Sequence, residues 1–199
     1  MFPAIPAYSA ALTFDAPQRV ANWRPLVNWL LAIPHLLIAS ALRYVSQVLA
    51  IVCWFIILFT GRLPVELANF QIMYLRYYAR AAIFAGFLRE EYPPFAFPMT
   101  AYDPGDDPRV RVDVTPELDG RNRVTVGFRL ILAIPQLIVL GLLLIVEWIV
   151  LLIALFAVLF TRQWPAGLRD FTVGVLRWWL RVQAYVLLLT DAYPPFELS

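Results

Sequence analysis

Residues 128–160 read FRLILAIPQLIVLGLLLIVEWIVLLIALFAVLF, a run whose only charges are Arg129, near its start, and Glu147. As one upright helix, about 33 residues would extend about 50 Å, well beyond the roughly 30 Å hydrocarbon core of a bilayer. Pro135 removes one backbone donor early in the run and kinks it. The part beyond the kink, about 25 residues or about 37 Å, is long enough to cross with tilt. Residues 26–59 have the same character, with Arg43 as the one full charge and Pro34 standing where Pro135 stands. The alternative, a hairpin dipping into one leaflet, needs turn residues at mid-run. Neither Ser40–Gln47 nor Gly141–Trp148 holds a Pro-Gly or Asn-Gly pair.

Composition agrees with the two runs. The 199 residues are 61% hydrophobic and 15% charged, against about 45–50% and about 25% in soluble domains. A typical cytosolic enzyme, a disordered chain and a disulfide-stapled module are all excluded on that ground. Cys53 is the single cysteine and lies inside an apolar run. The formal net charge is +2, and all 16 basic residues are Arg. They form no basic face of the kind that binds nucleic acid, so no nucleic-acid partner is expected. Met1–Pro6 lacks a basic stretch followed by an apolar one, so no cleaved signal peptide is expected.

The two runs belong to a tandem repeat with an offset of about 100 residues and no gap. Ala32-Ile33-Pro34 falls on Ala133-Ile134-Pro135, and Leu58-Phe59-Thr60 on Leu159-Phe160-Thr161. Pro64 falls on Pro165, Phe70 on Phe171, Leu75-Arg76 on Leu176-Arg177, and Arg80 on Arg181. Tyr92-Pro93-Pro94-Phe95 falls on Tyr193-Pro194-Pro195-Phe196. Shared greasiness explains matched leucines, but not two arginines and a YPPF in register.

This order of motifs resembles the bacterial membrane family called domain of unknown function 4389, twice over nearly the whole chain. The second repeat is the nearer to the pattern. The first departs from it, with Arg89-Glu90-Glu91 where the second has Thr190-Asp191-Ala192. The resemblance implies a membrane location and supplies no activity.

The expected fold class is therefore an all-α membrane protein of two tandem helix-hairpin repeats. Its four long helices are Pro-kinked or Pro-started, and a short strand-like segment precedes each repeat. Repeat one covers 1–98, with a strand at 8–14 and helices at about 24–60 and 64–90. A polar connection covers 99–122, with alternating residues 109–114 as a second strand pairing with the first. Repeat two covers 123–199, with helices at about 124–161 and 165–191. Proline suits the first helical position and disfavours helix in the residue before it, which sets these starts and stops. The second helices carry two central arginines each, so hydropathy alone leaves them marginal as spans.

Arginine placement favours four spans, with the two repeats parallel rather than inverted. Arg19, Arg24, Arg89, Arg109, Arg111, Arg121, Arg123 and Arg129 then share one side, against Arg62, Arg162 and Arg169. The positive-inside rule makes that side cytoplasmic, with both termini there, in a bacterial inner membrane.

No catalytic pattern stands out: there is no Gly-rich phosphate loop, no CxxC and no nucleophile elbow. His35 is the only histidine and its repeat counterpart is Gln136, which points to an interface role. No catalytic activity, cofactor or metal site is expected. Glu147 sits near mid-membrane, and its expected partner across the repeat interface is Arg43. The pairs Arg76/Arg80 and Arg177/Arg181, four apart and flanked by Tyr77, Tyr78, Trp178 and Trp179, fit either an anionic-lipid site or bonds within each repeat. Glu66, Glu90, Asp170 and Asp191 are the expected acidic partners in the second case. The leading expectation is an accessory or scaffold subunit that contacts membrane lipids and a membrane-protein partner or a second copy. The alternative is a small transporter or channel using Arg43 and Glu147.

Overall fold

The computed structural model describes residues 8–198; the Met1–Pro6 stretch lies outside them. In chain order the elements are β1 (Ala10–Phe14), α1 (Arg24–Leu31), α2 (Ile33–Thr60), α3 (Val65–Ala85), β2 (Val110–Val114), α4 (Arg123–Gly127), α5 (Arg129–Thr161) and α6 (Ala166–Val186). The first long helix of each repeat is thus two pieces. In repeat one the break falls at Ala32, just ahead of Pro34, whose missing N–H interrupts the ladder. In repeat two it falls at Phe128, and α5 then runs through Pro135 as one helix.

The second helices follow Pro64 and Pro165, as expected, but stop at Ala85 and Val186, about a turn early. The cause lies just downstream, where Phe87 (φ 47°) and Leu188 (φ 65°) turn left-handed. Gly61 (φ 72°) and Arg162 (φ 59°) do the same after α2 and α5. These four residues occupy matched positions in the two repeats. The backbone repeats more faithfully than the side chains do.

β1 and β2 pair antiparallel as expected, with Leu12 opposite Val112. Each strand then lies on the other repeat: β1 packs on α6 and β2 on α3. The lead-in residues do likewise. Val20 N donates to Arg162 O at 3.1 Å and Trp164 N to Gln18 O at 3.0 Å. At the matched place, Arg121 N donates to Gly61 O at 3.2 Å and Leu63 N to Leu118 O at 2.7 Å. The repeats interlock as one body. α2 packs on α3, α5 on α6, and the halves meet through α3 and α6. One apolar core, including Ile57, Ile72, Leu75, Leu180, Val158 and Val112, joins helices and strands.

These contacts overturn the arrangement of four spans. That arrangement puts Arg62 and Arg121 on opposite sides of a bilayer. Instead Arg62 pairs with Asp119 at 3.1 Å, and the turn at Gly61 is bonded to Arg121. The turn after α5 is bonded to residues 18–20 in the same way. Nor do α3 and α6 present an apolar outer face: most of Gln71–Phe84 and Thr172–Tyr185 is buried inside the protein. Among the described residues, hydropathy marks only α2 and α5, of 28 and 33 residues, as long and apolar enough to cross a membrane. Their outer surfaces are bare: Leu37 is 66% exposed, Phe59 79%, Ile145 62%, Trp148 76% and Phe160 80%.

Candidate functional site: two arginine clamps

A spacing of four residues puts Arg76 and Arg80 on one face of α3, the face covered by β2 and the connection. Arg76 donates from Nε to Val112 O (3.4 Å), from Nη1 to Pro98 O (3.2 Å) and from Nη2 to Thr100 O (3.2 Å). Asp103 Oδ2 lies 3.3 Å from Arg76 Nε, and both its oxygens accept from Arg80 Nη2, at 2.9 and 3.0 Å. Asp103 also accepts from Gly105 N and Val112 N. All three side chains are buried. A second buried pair joins Arg89 Nη1 to Asp107 at 2.6 and 2.7 Å, and Asp107 caps the backbone N–H groups of Arg109 and Val110. Burial lowers the Arg89 pKa, and Asp107 works against that shift. Buried ions of this kind need bonds to offset desolvation. Arg76 and the two carboxylates are well supplied, whereas Nε and Nη1 of Arg80 and Nε and Nη2 of Arg89 have no partner among the described residues.

The matched clamp on α6 is only partly closed. Arg177 Nε donates to Leu12 O at 3.2 Å, the residue directly opposite Val112 in the sheet. Arg181 pairs with Glu197, Nη1 to Oε1 at 3.2 Å, and also donates to Glu197 O. Among the described residues no carboxylate pairs with Arg177. A cavity of about 490 Å³ opens beside it, lined also by Asp15, Ala16, Arg169, Asp170 and Val173.

The acidic partners named from sequence are thus replaced by Asp103 and Glu197. Two of the named residues do something else, and do it alike. Glu90 Oε1 accepts from Ala21 N at 2.6 Å and Asp191 Oδ2 from Asn122 N at 2.9 Å. Arg24 approaches Glu90 at 4.0 Å, while Arg121 (2.7 Å) and Arg129 both engage Asp191. Burial raises the Asp191 pKa, but Arg121, the Asn122 N–H and Arg129 outweigh it and hold the carboxyl below its usual range. One position up the chain, the carbonyls of Arg89 and Thr190 accept from Asn28 Nδ2 (3.1 Å) and Arg129 Nη1 (2.8 Å). Each lead-in is therefore tied to the end of its repeat's second helix by a carboxylate and a carbonyl.

His35 behaves as an interface residue: its Nδ1 lies 2.7 Å from Tyr77 OH, and its ring stacks on Phe95 at 4.1 Å. Gln136 repeats this, accepting from Trp178 Nε1 at 2.7 Å and donating to Pro194 O at 2.6 Å. The two YPPF segments dock on these pairs.

Arg43 and Glu147 do not meet. Glu147 faces Thr172 of its own hairpin, as Ser46 faces Gln71, whose Nε2 donates to Ser46 O at 2.9 Å. Arg43 lies over the Tyr44 ring and beside a cavity of about 150 Å³ lined by Tyr74, Tyr78 and Trp179. The expected pair required α2 and α5 to face each other, whereas α3 and α6 form the seam. Sequence reasoning missed Asp103 and Asp107. Their signal was Asp103-Pro104-Gly105-Asp106-Asp107-Pro108, a run of turn residues whose carboxylates cap backbone N–H groups.

No curated protein and no solved structure matches the chain. A known sequence family matches at residues 22–96 and again at 123–197, the two stretches that the clamps and YPPF segments had marked as equivalent. The chain belongs to the family described as Domain of unknown function (DUF4389), of which it carries two tandem copies.

Proposed function

We propose that this chain is a non-catalytic scaffold of the bacterial inner membrane, seated in the lipid from one side through α2 and α5. The observation that carries the reading is the bare apolar surface of those two helices, with large side chains exposed along the length of each, a pattern that marks an interaction surface in soluble proteins. Opposite that surface lie the sheet and the polar connection. β1 and β2 rest against the middles of α6 and α3, where Leu12 O and Val112 O accept from Arg177 and Arg76. Upright α3 and α6 would carry this open-edged sheet into hydrocarbon, where unpaired backbone groups cost several kcal/mol each. With α2 and α5 lying along the membrane plane the sheet faces water, and its arginines favour the cytoplasmic side.

The charged groups support the non-catalytic part of the reading. The buried arginines bind carboxylates and carbonyls within the protein, Arg76 and Arg80 are buried out of reach of a lipid phosphate, and the Arg43–Glu147 pair that a transport pathway required does not form. The water-facing sheet is the surface offered to a membrane-protein partner or a second copy.

Single cysteines in a Cys53→Ala background test the seat. At Arg62, Arg111 and Arg162 an impermeant thiol reagent should label all three from the same face of oriented membrane vesicles. Labelling of Arg62→Cys and Arg111→Cys from opposite faces would replace this seat with a crossing. Recovery of the chain in the soluble fraction without detergent would remove the membrane role.

A further inference from the structure

The two clamps supply an internal template. In repeat one, all three guanidinium nitrogens of Arg76 donate to backbone carbonyls, and a carboxylate, that of Asp103, sits against Nε. In repeat two, Arg177 keeps the strand carbonyl, Leu12 O, and nothing else among the described residues. Its two Nη groups are left for whatever fills the adjoining cavity of about 490 Å³. The same backbone and the same arginine position thus meet a carboxylate at Arg76 and open space at Arg177.

The rest of the lining narrows the choice of ligand. Arg169 is already engaged, donating to Ala16 O with its guanidinium over the Phe14 ring. Asp15 and Asp170, both exposed, line the same cavity; among the described residues neither forms an ion pair, though both act through space on Arg169. A ligand that is anionic throughout would meet two carboxylates there; one that is cationic throughout would meet Arg177. We infer that the cavity binds a small zwitterion, its phosphate or carboxylate forked onto the Nη edge of Arg177 and its primary ammonium held by Asp15 and Asp170. The headgroup of phosphatidylethanolamine and a free metabolite of the same form share this chemistry. The inference rests on the cavity alone and stands apart from how α2 and α5 meet lipid.

Calorimetric titration of the purified full chain with O-phosphoethanolamine tests it, with inorganic phosphate and ethanolamine as the separate halves. Phosphoethanolamine should bind saturably and at least tenfold more tightly than either half. Arg177→Gln should weaken it tenfold or more. Asp170→Asn, at an exposed site, should remove the advantage over phosphate while leaving phosphate binding intact. Val173→Phe, which fills the cavity, should block both. In parallel, phosphatidylethanolamine retained after mild extraction should fall in Arg177→Gln if the ligand is a lipid and stay unchanged if it is a free metabolite. The inference fails if no probe binds saturably and retained lipid is the same in wild type and Arg177→Gln, or if Asp170→Asn binds phosphoethanolamine as wild type does.

Discussion

The clamp on α3 and the clamp on α6 share a helix face, an arginine spacing and a strand carbonyl, yet one is sealed and the other open. Asp103, within the connection, has its side chain 0% exposed, whereas Glu197, which stands in for it at Arg181, is 53% exposed. The difference shows that a duplicated motif conserves the place of a charge and leaves its use free to diverge. In repeat one the arginines fix the connection to the helix. In repeat two the same positions leave a guanidinium edge facing a cavity.

The sharpest way to break that comparison is to remove the two acids in turn. Asp103→Ala leaves Arg76 and Arg80 buried without their paired carboxylate, and breaking a buried pair costs about 3–5 kcal/mol. Glu197→Ala removes a half-exposed acid and leaves the buried Arg181 with its bond to the backbone carbonyl of residue 197, so it should cost less, about 1–2 kcal/mol. Denaturant midpoints in one detergent would measure both. Equal losses would mean that the two clamps are equally structural.

The repeat, its helix pairs and the strand pairing were legible because they rest on local signals: prolines at helix starts, arginines four apart and alternating apolar residues. What the sequence could not convey was which side of each helix met protein. Hydropathy near Arg76 and Arg177 suits a marginal span or a helix wrapped inside a body, and only the interlocked lead-ins decide between them. Arg43 and Glu147 were misjudged for the same reason. Their depth along the helices was estimated, but their rotation about the axes depends on α3 and α6 forming the seam. Asp103 and Asp107 looked like a solvated turn because nothing local records that two arginines from another element lie beneath them.

A middle-sized effect separates the two lead-in ties. Asp191 is held by Arg121, Arg129 and the Asn122 N–H, whereas Glu90 has the Ala21 N–H and a distant Arg24. The folded-state pKa of Asp191 is depressed. Its contribution is therefore fully present above the unfolded-state value of about 3.9 and is lost as pH falls through the lower folded value. Asp191→Asn should lower stability at pH 7 by about 1–3 kcal/mol and flatten the acid limb of the stability profile. Glu90→Gln should do less on both counts. An unchanged acid limb in Asp191→Asn would show that this tie does not govern acid unfolding.

The smallest expected effect lies in the backbone itself. After α2 and α5 the chain turns left-handed at matched positions, with Gly61 at φ 72° and Arg162 at φ 59°. Glycine adopts that region freely, whereas a residue with a Cβ meets about 1–2 kcal/mol of steric cost. Arg162→Gly relieves the cost but adds freedom to the unfolded chain, so the net gain should be about 0.5 kcal/mol. Gly61→Ala runs the other way: it introduces the strain while its new Cβ meets the Arg123 side chain at 3.4 Å, and it should lose about 1 kcal/mol. Opposite signs at equivalent positions would show that the backbone of the repeat, rather than the residue occupying it, dictates the turn. Two losses would instead mean that Arg162 contributes more through its side chain than its conformation costs.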